Sequence, residues 1–109
     1  MSEVRRSRRE FYRVEYPIRL RPTIVLAGRT HRVLDLSETG LRYLLGGAEP
    51  PHEGVEVEGE VCFDDGERCT IRGVRLRLEG ETCALQLVVG MPLARVIAEQ
   101  RLLRRTSLR

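Results

Sequence analysis

Apolar and polar residues alternate with a period of two along most of the chain. Tyr12, Val14, Tyr16, Ile18 and Leu20 occupy even positions after Phe11, a strand pattern that Pro17 and Pro22 bend or interrupt and so confine to an edge. Thr23 to Leu26 forms a second apolar piece, and Ala27-Gly28 turns the chain. Arg29 to Ser37 again reads as strand, ends at Ser37-Glu38-Thr39-Gly40, and is followed by Leu41, Tyr43 and Leu45 in a further one. Residues 46–54, with glycines at both ends and Pro50-Pro51 inside, are the clearest loop. Val55, Val57, Gly59, Val61 and Phe63 then alternate with Glu56, Glu58, Glu60 and Cys62, the pattern of a half-buried strand with an acidic outer face.

Asp64-Asp65-Gly66-Glu67 predicts a hairpin turn. The next run starts in one phase, Cys69, Ile71 and Gly73, and resumes in the other, with Val74, Leu76 and Leu78 inside and Arg75, Arg77 and Glu79 outside. A phase slip at a glycine predicts a β-bulge there. Glu79-Gly80-Glu81 turns once more, and Thr82 to Val89 is apolar on both faces, so something is expected to cover its outer one. The natural cover is a helix over about 91–105, opened by Pro92 in its first turn, with Leu93, Val96, Ile97 and Leu103 on one side. Arg101, Arg104 and Arg105 fall in its last turns, where the helix dipole favours cations. The pattern as a whole predicts an all-β fold: a small six-stranded antiparallel β-barrel with a C-terminal α-helix.

Charge changes this picture by its placement. All nineteen basic residues are Arg, whose planar fork suits phosphates and base edges better than an ammonium does, although GC-rich coding gives the same bias. Residues 1–43 carry a net +5, residues 44–90 a net −6 and residues 91–109 a net +4. An acidic sheet between basic ends argues for a local basic site and against a uniform nucleic-acid surface. Residues 1–9, with little apolar content beyond Val4, read as a flexible basic arm on a domain spanning 10–109. Cys62, Cys69 and Cys83 form no CxxC pair and read as reduced thiols. No run approaches the roughly eighteen apolar residues of a membrane span, and no leader is evident, so a cytoplasmic protein is expected.

Catalysis and metal binding find little support. His31, Asp35 and Ser37 share odd numbering and hence one strand face, but same-face neighbours lie roughly 6.5 to 7 Å apart, too far for a nucleophilic relay. His31 and His52 are separated by a loop and pair with no cysteine at ligand spacing; His31 reads as a strand residue beside the site. No phosphate loop occurs. These patterns imply neither an enzyme nor a metal protein.

Binding remains. Arg8, Arg9 and Arg13 stand where the arm joins the barrel, and each guanidinium can hold a phosphate bidentately or grip the O6/N7 edge of guanine. Asp35 would repel a phosphate but accepts from the N1–H and N2–H donors of guanine; Ser37 can assist, and Gly40 lets the chain turn behind them. A capped turn between strands explains Asp-x-Ser-x-x-Gly equally well when it is taken without the arginines.

Arg9-Glu10-Phe11-Tyr12-Arg13 resembles the RxxxR motif of PilZ domains, and Asp35-Leu36-Ser37-Glu38-Thr39-Gly40 resembles their [DN]xSxxG motif, in the family's order and separation. Cys83-Ala84-Leu85-Gln86-Leu87 is similar to the family's last strand, with Ala and Leu where Gly and Phe are common. The resemblance covers nearly the whole chain and implies a six-stranded barrel with a C-terminal helix that receives cyclic di-GMP. Arg9 and Arg13 would bind phosphates and the guanine Hoogsteen edge, Arg8 would assist, and Asp35, Ser37 and Gly40 would shape the guanine pocket. With no output domain in the sequence, the resemblance implies a separate partner protein; motility, biofilm polysaccharide and virulence are typical outputs. One or two nucleotides per chain, and monomer or dimer, all stay open. Two further readings are a barrel that binds RNA or single-stranded DNA through its arm, and a PilZ-fold protein-interaction module with silent motifs. The first would call for exposed aromatics, whereas Tyr43 and Phe63 fall in apolar register.

Overall fold

The structure, a computed structural model, describes residues 13–107. Seven strands appear in order: β1 (Val14–Glu15), β2 (Thr23–Leu26), β3 (Arg29–Leu36), β4 (Gly40–Leu44), β5 (Val57–Cys62), β6 (Arg68–Glu79) and β7 (Thr82–Val89), followed by helix α1 (Leu93–Ser107). Every pairing is antiparallel, and neighbours run β3-β2-β5-β6-β7-β4, with β4 returning to β3 to close a six-stranded barrel. Closure leaves the six strands no free edge between them, the usual solution for a small all-β domain.

β1 is the seventh strand and lies along β3 beside its last residues, Val14 opposite Leu36 and Glu15 opposite Asp35. Pro17 ends it, and a 3-10 turn over Ile18–Leu20 carries the chain outward before β2 resumes along β3. The strand expected to run on to Leu20 is therefore cut to two described residues before the 3-10 turn, because proline cannot donate to the ladder, and β2 is the separate second piece. Ala27 (φ 50) and Gly28 (φ 78) make the two-residue β2–β3 turn that its length demands.

The core follows the alternation. Ile24, Val33, Tyr43, Val61, Ile71 and Leu85 are all exposed by 2 % or less. The β6–β7 register does slip at the expected place, between Arg72 and Gly73, but the unpaired residue is Val88 on β7, so β6 keeps its phase there. Glycine is required there by close approach, since a Cβ would stand 2.6 Å from the Gln86 carbonyl oxygen. The slip that does insert a residue in β6 comes later, between Arg75 and Arg77, and leaves Leu76 unpaired. Leu76 and Leu78, expected inside, consequently lie on the surface, 57 % and 39 % exposed.

The helix also differs from expectation. It does not cover the outer face of β7, where Val88 is 61 % exposed; it closes one end of the barrel, with Val96 fully buried and Met91 and Leu103 packed on the core. Pro92 turns it there, its carbonyl accepting from the Arg95 and Val96 amides. A charge cluster clamps the helix in place. Arg95 donates to Asp65 and Glu67 at 2.8 Å each and to Glu99, and its guanidinium lies 4.1 Å over the Phe63 ring. Glu99, almost wholly buried, also accepts from the Tyr16 hydroxyl at 2.6 Å.

Burial, joined by the Glu99 carboxylate, raises the Tyr16 pKa far above its ordinary 10.0. Burial, joined by a hydrogen bond with Cys83, raises that of Tyr43. The fold thus holds both phenols neutral, while the unfolded chain releases their protons once pH passes about 10. Stability is complete below that value and falls as pH rises through and beyond it. Titration of phenolate absorbance should show Tyr16 and Tyr43 ionising only together with loss of the far-ultraviolet dichroism of the fold; ionisation of both in the intact barrel would refute it.

Candidate functional site

The chemistry concentrates where β3 ends. Val33 faces Tyr43 inside the barrel, but the β3–β4 register shifts between Val33 and Asp35, so Asp35 lies opposite Arg42 and Leu36 opposite Leu41. Leu36 and Leu41 are buried, which puts the intervening Asp35–Arg42 pair on the outer side. This irregularity separates residues that the numbering pattern groups together. His31 points into the barrel at the other end of β3, its Nδ1 2.9 Å from the Leu44 carbonyl oxygen and its ring edge-on to Tyr43. It is neither beside Asp35 nor on the same face.

Asp35 is 5 % exposed, yet three guanidinium N–H groups converge on its Oδ2. Arg42 donates through Nε at 2.7 Å and lies at 2.6 Å through Nη2, and Arg13 donates through Nη2 at 3.2 Å. The Asp35 contact raises the pKa of Arg42 above its ordinary value. Arg13 also lies 3.7 Å from Glu15, and its carbonyl accepts from the side-chain amide of Gln100 on the helix.

Beside the pair stands a tight turn. The Ser37 amide donates to the Gly40 carbonyl at 2.8 Å, and Ser37 Oγ accepts from the Thr39 amide at 3.3 Å. Gly40 is not the sharp corner expected of it: it opens β4, and its φ is not positive. A Cβ there would touch Ser37 Oγ at 3.6 Å, so what the glycine provides is open space beside the hydroxyl. The turn is fastened from behind, Thr39 oxygen accepting from the Leu87 amide and Glu38 oxygen from the Met91 amide. Gly90 lies so close that a Cβ would run into the Glu38 carbonyl.

Arg13, Asp35, Ser37, Gly40 and Arg42 line one shallow depression of about 200 Å³, whose far wall is Leu76, Arg77 and Ala84. A family model of the PilZ domain matches residues 7–105. The chain belongs to the PilZ domain family. No curated protein and no solved structure matches it. PilZ domains are binding and adaptor modules of a family that receives cyclic di-GMP.

Of the residues singled out in the sequence of this PilZ domain, the fold brings Arg13, Asp35, Ser37 and Gly40 together; Arg8 and Arg9, with the rest of the arm, lie outside the described residues. Arg42, Leu76, Arg77 and Gly90 went unrecognised. Arg42 carried a usable signal, a cation two residues after the motif glycine and close to an acidic strand end; Leu76 was hidden by the second bulge.

A larger cavity, about 580 Å³, opens at the opposite barrel end, bounded by His31, Tyr43 and the Ala48–Pro51 part of the loop. It is mostly apolar, and its charged residues, Arg29, Glu49 and Glu58, form none of the ion pairs seen among the described residues, so volume does not identify the site here. Among the described residues no group of three or more His, Cys, Asp or Glu side chains could hold a metal ion, and no helix is long and apolar enough to cross a membrane. Tyr16, Tyr43 and Phe63 are buried, so the described surface offers none of these rings for stacking nucleic-acid bases.

Proposed function

We propose that this PilZ domain binds cyclic di-GMP over the Asp35 depression and passes the signal to a separate partner protein in the cytoplasm. The observation that carries this reading is the buried Asp35 carboxylate held at the rim of an open pocket and ringed by guanidinium groups. A phosphate pocket would have no use for a carboxylate at its centre, whereas a ligand that carries both phosphates and guanine edges uses both charges. Arg8, Arg9 and Arg13 take the phosphates and the O6/N7 edge, and Asp35 takes N1–H and N2–H. Ser37 and Gly40 shape the wall, and the arm before Arg13 orders over the nucleotide and changes the surface that the partner meets.

Calorimetric titration with cyclic di-GMP, using GTP and cyclic di-AMP as competitors, tests this. Saturable binding that neither competitor displaces at equal concentration is the expected outcome. No binding, or equal displacement by cyclic di-AMP, would remove the reading.

A further inference from the structure

Arg42 belongs to neither sequence motif, yet it makes the shortest contacts to Asp35. Its Nε and Nη2 branch from one carbon in a plane, as N1 and N2 of guanine branch from C2. Both fragments are guanidines that present two near-parallel N–H donors, and a carboxylate accepts either through the same fork. Arg42 turns both nitrogens onto the single oxygen Oδ2, and Arg13 donates to the same oxygen. Such an oxygen has no lone-pair direction left for a further donor of good geometry, and the paired donors of guanine, which call for both carboxylate oxygens, cannot seat while it is held.

We propose that Arg42 is an internal stand-in for guanine: it occupies the Asp35 carboxylate in the free protein, and the nucleotide must displace it to bind. The inference rests on the cyclic di-GMP reading and adds a threshold to it. A ligand enters only if it returns to Asp35 the hydrogen bonds that Arg42 gives up. Guanine does so. Adenine offers an acceptor at N1 and lacks the paired donors, so a cyclic diadenylate leaves either Arg42 in place or the carboxylate unpaired. The Arg42 side chain is 33 % exposed, so once released it is rehydrated at little cost, close to the phosphates it can then attract.

The test compares the whole wild-type chain with Arg42→Met, which keeps length and removes the donors. A partly exposed ion pair of this kind is worth little, so Arg42→Met should bind cyclic di-GMP roughly fivefold tighter. Cyclic di-AMP should gain no more than cyclic di-GMP does, so the preference between the two should not narrow. A second readout needs no variant: in wild-type protein the Arg42 Nε–H resonance should be protected from solvent exchange, and should lose protection when cyclic di-GMP saturates the site. Equal or weaker binding by Arg42→Met, or Nε–H protection unchanged by bound nucleotide, overturns the displacement while leaving the receptor reading standing. Failure of both proteins to bind cyclic di-GMP overturns the receptor reading and the displacement with it.

Discussion

Asp35→Ala is expected to weaken cyclic di-GMP binding about 30-fold or more while leaving the barrel folded. Two charge-assisted hydrogen bonds from guanine are worth about 1.5–3 kcal/mol each, and binding gives up a partly solvated Arg42 contact worth about 1 kcal/mol, which leaves roughly 2–5 kcal/mol at stake. Stability should change little, because Arg13 and Arg42, with side chains 52 % and 33 % exposed, can return to water. Calorimetry on the two proteins checks the affinity and a thermal melt checks the fold. In the Arg42→Met background the same substitution should cost about fivefold more, because no internal competitor then offsets it. A change below threefold would show that the carboxylate does not touch the ligand. Binding indifferent to Asp35 but steeply weakened by salt would point instead to nucleic acid on the basic arm.

Gly90→Ala should be the most damaging single methyl on this chain. The added carbon meets the Glu38 carbonyl, and the obstacle is main chain that the Met91–Glu38 and Leu87–Thr39 hydrogen bonds hold in place. Overpacking against a fixed neighbour costs about 1–3 kcal/mol or more. At roughly 4–8 °C per kcal/mol for a domain near this size, the melting temperature should fall by about 10 °C. Relief requires the Ser37–Gly40 turn to move, so nucleotide affinity should fall as well. Gly40→Ala is the matched control: its Cβ would rest at ordinary contact distances, 3.6 Å from Ser37 Oγ and 3.7 Å from the Leu85 oxygen, and the melt should barely shift. Equal melting of the Gly90→Ala and wild-type proteins would mean that the turn is not braced from behind.

Much of the architecture was legible because one side of each strand is buried and the other is wet. Val57 to Cys62 and the break at Pro17 follow from alternation and from the missing proline amide alone. The place of the slip at Gly73 was legible from the meeting of two phases, but not its strand, since the unpaired residue is Val88 on β7. What escaped were register changes that no glycine marks. The shift at Leu34 looks like ordinary alternation, yet it turns Asp35 outward and leaves His31 inside. The slip between Arg75 and Arg77 likewise hid Leu76. Placement of the helix was illegible because an exposed Val88 and a buried Val96 look alike in sequence; which of them finds a partner depends on the barrel end that Tyr16, Phe63 and Met91 leave to be filled. The motif residues of the candidate site were legible as a set, while their neighbours were not: Gly90 is set by the approach of two backbones, and Arg42 by its antiparallel pairing with Asp35, seven residues back.

The two-residue strand β1 is fastened to α1 at both ends, by the Tyr16 hydroxyl on Glu99 and by the Gln100 amide on the Arg13 carbonyl. A pull on the leader ahead of Arg13 therefore reaches the seat of the helix through two polar fasteners before it loads the closed ring of six strands. Tension at one terminus would be felt first at the other, with the cylinder between them acting as a rigid frame.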